Sequence, residues 1–259
     1  MDHGLPAEVV EELVARALAE DVGAGDITTE ATVPADVRAR GEIIAKQEAV
    51  VAGLPLVEAV FRNVDSGIVV EPAVQDGGRV APGEVVARVE GRARGILTGE
   101  RTALNFLQHM SGVATLAARY VKAVKGTKAR ILDTRKTIPG LRALDKYAVR
   151  MGGAHNHRMG LFDAVLIKDN HIRAAGAVAA AVERARAAAP EGAVVEVETQ
   201  SMAQVEEAVG AGADVIMLDN MSPEEVKRAV ELIAGRAKTE VSGGVTLETV
   251  RSYAECGVD

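Results

Sequence analysis

The stretch VVEVETQSMAQVEEAVGAGADVIMLDN, residues 194–220, reads as strand, helix, strand. Val194–Glu198 is a short apolar run in which Glu196 and Glu198 share one face, because strand side chains alternate. Ser201 followed by Gln204 is a capping-box pattern opening a helix over 202–211. A second short run, Asp214–Asp219, follows a Gly-containing turn. Short apolar strands joined through a helix imply a parallel sheet with helices packed outside it.

The same rhythm extends in both directions from this unit. Helical patterns cover 101–125, 141–152, 174–189, 202–211, 223–235 and 247–256. Short runs lie between them at Arg130–Asp133, Ala164–Lys168, Val194–Glu198, Asp214–Asp219 and Glu240–Ser242. Ser222-Pro223-Glu224-Glu225 marks another helix start, with Pro at the first helical position and Glu at the third. The first hundred residues differ. Leu5, Val9, Leu13 and Leu18 give a helix over 5–20, a polar turn EDVGAGDITTE follows, and 40–52 and 67–73 read as strands around a short helix at 54–63. VQDGGRVAPGEVVARVEG (74–91) adds two strand-like runs separated by Gly and Pro turns. The expected organisation is a small α+β domain with an antiparallel sheet over 1–100. Residues 101–259 are expected to form an α/β barrel of parallel β/α repeats, TIM-like but atypical.

AGADVIMLDN (211–220) is echoed by ECGVD (255–259), which stops where its strand should begin. A barrel needs that strand to close, so the barrel is expected to be incomplete at its C-terminus and the natural chain to run further.

Composition narrows the function classes. Of 259 residues 48% are hydrophobic, with no Trp, three Tyr and three Phe, so the core must be built from Ala, Val, Leu and Ile. A net charge of −7 and the lack of aromatic stacking platforms argue against nucleic-acid binding. The single Cys256 excludes an internal disulfide framework and suits a reducing compartment. The N-terminus has no signal-peptide pattern and no apolar run approaches spanning length, so a cytoplasmic setting without membrane partners is expected.

Charge is unevenly placed. Between Asp133 and Arg173 eight Lys or Arg face four Asp, a local +4 within a chain of −7, leaving −11 elsewhere. Three of the five histidines, His155, His157 and His171, fall in that segment. Cations gathered in an acidic protein point to an anionic ligand. The strand-like runs also end in polar residues: Asp133 followed by Arg135-Lys136, Lys168-Asp169, Glu198, Asp219-Asn220, and Ser242-Gly243-Gly244. In a β/α barrel such ends converge on one face, where active sites lie.

Each feature has a plainer reading beside the functional one. Arg135 and Lys136, flanked by Thr hydroxyls, suit phosphate or carboxylate recognition, or else a solvated loop. The three histidines are a possible zinc set, but nearby cations oppose it and no Cys or Glu completes a first shell. A core or helix-capping role is the alternative for at least one of them. Glu198 and Asp219 suit Mg²⁺ on a diphosphate or stabilisation of growing positive charge, with Glu196 able to share either role. Pairing with Lys136 or Lys168 is the structural alternative. Ser242, Gly243 and Gly244 before a helix suit an anion. Residues 76–91 look like the hairpin of lipoyl or biotinyl carriers, yet no lysine occurs between Lys46 and Lys122 for attachment, so the segment reads as scaffold.

Seven segments together resemble the quinolinate phosphoribosyltransferase family: EDVGAGDITTE (20–30), GERTALNFLQHMSGVAT (99–115), DTRKTIPGLRALDKYAV (133–149), NHRMGLFDAVLIKDNHI (156–172), VEVET (195–199), IMLDNM (216–221) and VSGGV (241–245). The resemblance covers nearly the whole chain. It implies that quinolinate and phosphoribosyl pyrophosphate combine, with Mg²⁺, to give nicotinate mononucleotide, pyrophosphate and CO₂. It places Arg135, His157, Arg158 and Lys168 around the quinolinate dicarboxylate and Lys136 on phosphoribosyl pyrophosphate. Glu198 and Asp219 would hold ribose hydroxyls or Mg²⁺, and Gly243 and Gly244, beside Ser242, the 5′-phosphate. Arg101 would reach the partner's site in a homodimer, which can assemble further. Two other readings remain: a related phosphoribosyltransferase for another ring acid, as in molybdate-associated paralogues, and a non-catalytic barrel sensing a phosphorylated metabolite. The carboxylates Glu198 and Asp219 argue against the sensor.

Overall fold

The computed structural model describes residues 4–259. The chain forms two compact units. The first runs to Ala118 and takes in Lys136–Asn156; the second is Arg119–Arg135 with His157–Asp259. The unit boundary is thus crossed three times, where the sequence reading drew one division near residue 100.

In the first unit helix α1, Ala7–Asp21, buries Val10, Leu13 and Val14 at helical spacing. Helix α2, Ile27–Thr32, starts at Asp26, whose side chain accepts the Thr29 N–H. Strand β1, Arg38–Ile44, strand β2, Ala49–Val50, helix α3, Leu54–Val64, and strands β3, Val69–Pro72, β4, Arg79–Val80, and β5, Val85–Arg92, follow. β1, β5 and β3 make an antiparallel sheet with β5 central, while β2 pairs with β4. The predicted single strand over 40–52 is therefore two, shared between sheets.

Helix α4, Ala93–Ala123, is 31 residues long and begins eight residues earlier than its sequence pattern. Its early turns are lined with glycine because α3 and its exit lie close. A Cβ on Gly99 would meet the Phe61 ring at 3.2 Å, and one on Gly95 would meet Ile68 Cδ1 at 2.9 Å. Helix α5, Arg142–Met151, completes the unit with Leu144, Tyr147 and Ala148 in its core. That core is mostly Val, Leu and Ala, with Ile68, Phe61, Met110 and Tyr147 among them.

The second unit carries the parallel repeat. Strand β6, Val165–Ile167, helix α6, Asp169–Ala175, helix α7, Val178–Ala188, strand β7, Val195–Thr199, helix α8, Met202–Gly210, strand β8, Val215–Asp219, helix α9, Pro223–Ile233, strand β9, Lys238–Ser242, and helix α10, Val250–Glu255, follow in order. The sheet order β6-β7-β8-β9 is sequential and all parallel, the arrangement of a partial α/β barrel. The helix expected over 174–189 divides at Gly176, which caps α6 in the left-handed region at φ 96°. The run Arg130–Asp133 contributes only an isolated bridge at Leu132.

Register separates the two faces of this sheet. Val195, Val197, Ile216 and Leu218 are fully buried against Val182, Val205, Val226 and Ile233 of the helices. Their strand neighbours Glu196, Glu198, Met217, Asp219, Glu240 and Ser242 point the other way, with Glu198 opposite Met217, Met217 opposite Glu240, and Asp219 opposite Ser242. One parity holds the fold, the other is left for chemistry.

Candidate active site

The second unit assembles cations and carboxylates on that inner face. Lys168 follows β6, and its ammonium lies 3.6 Å from Glu198 Oε2 on β7. Glu198 is mostly buried, and burial followed by the charge of Asp219 pushes its pKa up. Two carboxylates held near each other favour a cation between or beside them. Asp219 Oδ2 accepts from Asn220 Nδ2 at 2.7 Å and Gln200 Nε2 at 3.2 Å, so its orientation is fixed. Hard oxygen donors of this kind fit Mg²⁺.

β9 ends in Ser242-Gly243-Gly244. Gly243 and Gly244 have φ 84° and 65°, and a Cβ on Gly243 would fall 2.3 Å from Asn220 Oδ1. Both conformation and close approach demand glycine. Asn220, itself left-handed at φ 55°, donates its N–H to the Ser242 carbonyl at 2.9 Å. The helix expected over 247–256 begins later, at Val250, because Thr246 and Thr249 close a hydrogen-bonded turn first. A tight glycine turn, not a helix N-terminus, follows this strand.

Below Glu198 on β7 lies Glu196, opposed by Glu240 on β9, with His157 between them. His157 Nε2 is 2.8 Å from Glu196 Oε2 and 3.7 Å from Glu240 Oε2. These three are the group of metal-donor side chains, among the described residues, whose atoms lie within 4.8 Å of one another. His155 and His171 do not join it. His171 caps α6, accepting the Lys168 N–H on Nδ1 at 2.9 Å, which is the capping role foreseen for one histidine.

The ring of His157 is tied at both nitrogens. Nδ1 accepts the Arg158 N–H at 2.7 Å, and a backbone N–H can only donate, so the ring proton sits on Nε2. Glu196 accepts a hydrogen bond from that N–H, and this hydrogen bond raises the His157 pKa against the opposing effect of burial. An Nε2 that carries hydrogen has no lone pair for a metal ion. Glu240, buried and facing the charge of Glu196, has its pKa pushed up to about 7.

Arg158 donates from Nη1 to the Ala164 carbonyl at 3.1 Å, while its buried Nε has no acceptor. Burial, then the nearby charge of Arg135, lowers its pKa. A guanidinium group held where a second one disfavours its charge is prepared for an anion. The Arg158 loop is shaped by Asp163, which accepts the Met159 and Gly160 N–H groups at 2.6 and 2.8 Å. Asp133 accepts the His157 N–H at 2.8 Å, tying the loop's start to the DTRKT segment.

Of the residues singled out from sequence, the second unit holds Arg135, His157, Arg158, Lys168, Glu198, Asp219, Ser242, Gly243 and Gly244. Lys136 and Arg101 belong to the first unit. Arg101 is exposed on α4 and lines a cavity of about 320 Å³ with Asp21, Asp26 and Thr98. A larger cavity, about 440 Å³, lies at the opposite ends of β8 and β9 beside Asp214 and Lys238, away from the polar strand ends. Sequence reasoning passed over Glu240. Its signal was present: it stands two residues before Ser242, on the same strand face.

A parallel β/α sheet whose strand ends gather guanidinium, ammonium and carboxylate groups defines an α/β-barrel enzyme for anionic substrates. Residues 26–111 match the N-terminal domain of quinolinate phosphoribosyl transferase, and residues 113–259 match its C-terminal domain. The chain is 46% identical over 258 residues to the nicotinate-nucleotide pyrophosphorylase [carboxylating] of Mycobacterium leprae, covering 97% of this chain and 90% of that one. It is 42% identical over 272 residues to quinolinate phosphoribosyltransferase [decarboxylating] 1b of Nicotiana tabacum, covering 98% and 77%. The structure of the nicotinate-nucleotide pyrophosphorylase from Francisella tularensis superposes with a TM-score of 0.95 at 40% identity, over 99% of this chain and 91% of that chain. The chain belongs to the quinolinate phosphoribosyltransferase family.

Proposed function

We propose that this protein transfers the phosphoribosyl group of phosphoribosyl pyrophosphate to quinolinate and decarboxylates the product to nicotinate mononucleotide, a step of NAD synthesis. Family membership supports the reaction, and the paired guanidinium groups of Arg135 and Arg158 carry the substrate reading. A ring dicarboxylate is the anion that Arg135, Arg158 and Lys168 together would take; a single carboxylate needs fewer cations.

Both substrates are polyanions, so clustered cations remove their mutual repulsion and fix their orientation. Arg135, Arg158 and Lys168 hold the dicarboxylate, with the His157 ring hydrogen-bonded to the Arg158 N–H. Lys136 takes the phosphorylated sugar, and the Ser242-Gly243-Gly244 turn takes its 5′-phosphate. The pyridine nitrogen forms a bond to the anomeric carbon as the bond to pyrophosphate breaks, the electron pair leaving with pyrophosphate. Positive charge grows on the ribose, and Glu198 and Asp219 stabilise it. Mg²⁺ held by Glu198 and Asp219 would neutralise charge on the diphosphate. The ring then bears positive charge beside the carboxylated carbon, so CO₂ leaves, its bonding pair stays with the ring carbon, and a proton replaces it. Arg101 is assigned to the site of a partner subunit in a homodimer, and the protein to the cytoplasm. Among the described residues no helix is long and apolar enough to cross a membrane.

The test is direct. Protein incubated with quinolinate, phosphoribosyl pyrophosphate and Mg²⁺ should release pyrophosphate and CO₂ together. Arg135→Ala or Lys168→Ala should reduce turnover by at least about a hundredfold, the loss of a charge-assisted contact to a buried anion. Unchanged turnover in both variants overturns the site assignment.

A further inference from the structure

Two carboxylates on the inner face have no part in the chemistry just described. Glu196 is 4% exposed and Glu240 is mostly buried beside it. Placing two acids together inside a sheet is costly, and apolar residues at these positions would pack without that cost. Such groups point to a task.

The hydrogen bonds trace that task. Glu196 Oε2 accepts the hydrogen bond of His157 Nε2–H at 2.8 Å. With the proton held there, Nδ1 presents a lone pair, and the Arg158 N–H occupies it at 2.7 Å. Arg158 is anchored a second time through Nη1 on the Ala164 carbonyl, leaving its buried Nε as a donor still to be satisfied. Glu240 Oε2 lies 3.7 Å from the same Nε2, so both carboxylates face that nitrogen.

We propose that Glu196, with Glu240 behind it, is a positioning residue that locks His157 as the Nε2–H tautomer and through Nδ1 fixes Arg158 for the ring-acid carboxylate. His157 then acts through Arg158 and not by donating to substrate, since neither ring nitrogen is free to do so. The assignment rests on the reading of Arg158 as a ring-acid ligand. It predicts control over ring-acid affinity and little control over the phosphoribosyl donor. Glu196 acts as a hydrogen-bond acceptor, so an uncharged acceptor should serve in its place.

Three measurements test this. In long-range ¹H–¹⁵N correlation spectra of the unliganded protein at neutral pH, His157 should appear as the Nε2–H tautomer. Kinetically, Glu196→Ala should raise KM for quinolinate on the order of tenfold while KM for phosphoribosyl pyrophosphate and kcat change less than about threefold. Glu196→Gln, whose amide oxygen still accepts the Nε2 proton, should restore most of the loss. An Nδ1–H ring, with Nε2 free to take a cation, overturns the proposal whether or not Glu196→Ala folds. Equal damage from Glu196→Gln and Glu196→Ala also overturns it, because the charge and not the hydrogen bond would then be what matters. Failure of the underlying functional reading looks different: the wild-type protein would release no CO₂ from quinolinate, while the tautomer is still decided by the spectrum.

Discussion

The two larger sheets among the described residues treat charge in opposite ways. In the antiparallel sheet of the first unit, charged residues meet opposite partners: Arg40 pairs with Glu90, Arg88 with Glu42, and Arg92 with Asp65 at the end of α3. Asp65, nearly buried, is held by the Arg92 fork and then by the Gly67 N–H, which lower its pKa to about 2. In the parallel sheet of the second unit, carboxylates face inward and meet one another. Glu240 lies against Glu196, and Glu198 against Asp219, and the pKa of each first-named group rises. A carboxylate given a partner stabilises the fold; one given a rival does not, and its presence has to be explained by chemistry.

The largest effect should come from breaking the apolar parity of the second sheet. Leu218 is fully buried among Val205, Val226 and Ile216 in the outer layer. Leu218→Ala should cost about 2–5 kcal/mol, read as a lowered midpoint in urea denaturation. A cost below about 1 kcal/mol would mean the outer face is not the layer that holds this sheet.

Next in size is a pair of substitutions with opposite signs. In the unfolded chain Glu240 releases its proton near 4.5, but in the fold only near 7. Between those values the folded state holds more protons, so stability falls as pH rises, by at most about 1.4 kcal/mol per pH unit, and levels off above 7. Glu240→Gln removes this loss. Its stability relative to wild type should climb from pH 4.5 to 7 and then stay constant. Asp65 behaves inversely: its contribution is present above 3.8 and is lost as pH falls towards 2. Asp65→Asn should therefore destabilise the protein at neutral pH, by about 1 kcal/mol once the solvent exposure of Arg92 is allowed for. Denaturation midpoints across pH 3–8 check both, and equal signs at pH 7 would erase the contrast between the sheets.

This contrast was partly legible in the amino-acid order. Alternation in VEVET and the polar strand ends placed Glu198, Asp219 and the glycine turn on one face, because strand parity is local and strict. Capping at Ser201 and Ser222 was equally local: both hydroxyls accept the N–H three residues on, but the reciprocal bond forms only at Ser222, because Gln204 Oε1 accepts from Gln200 and not from Ser201. What stayed hidden depends on distance in three dimensions. Nothing local marks Glu240 as the neighbour of Glu196, since β7 and β9 are separated by a whole strand, or says that His157 has both nitrogens occupied. The early start of α4 was missed because Gly95 and Gly99 look like breakers until the close approach of α3 is known. Assignment of Lys136 and its neighbour Arg135 to different units is likewise a property of packing, not of the DTRKT motif.

The smallest expected effect serves to separate framework from chemistry. Ser222 opens α9, accepting the Glu225 N–H on Oγ while Glu225 Oε2 accepts the Ser222 N–H at 2.9 Å. Removing the hydroxyl leaves one helix N–H to water and weakens the reciprocal pair, which should cost about 1 kcal/mol. α9 carries no inner-face residue, so Ser222→Ala should lower the denaturation midpoint while both KM values and kcat stay within error of wild type. Glu196→Ala predicts the reverse pattern, with a changed KM for one substrate. If Ser222→Ala also raised KM for quinolinate, the effects at Glu196 would reduce to general loosening of the second unit. If it does not, framework and inner face are separable, and an altered KM at Glu196 is a property of the site.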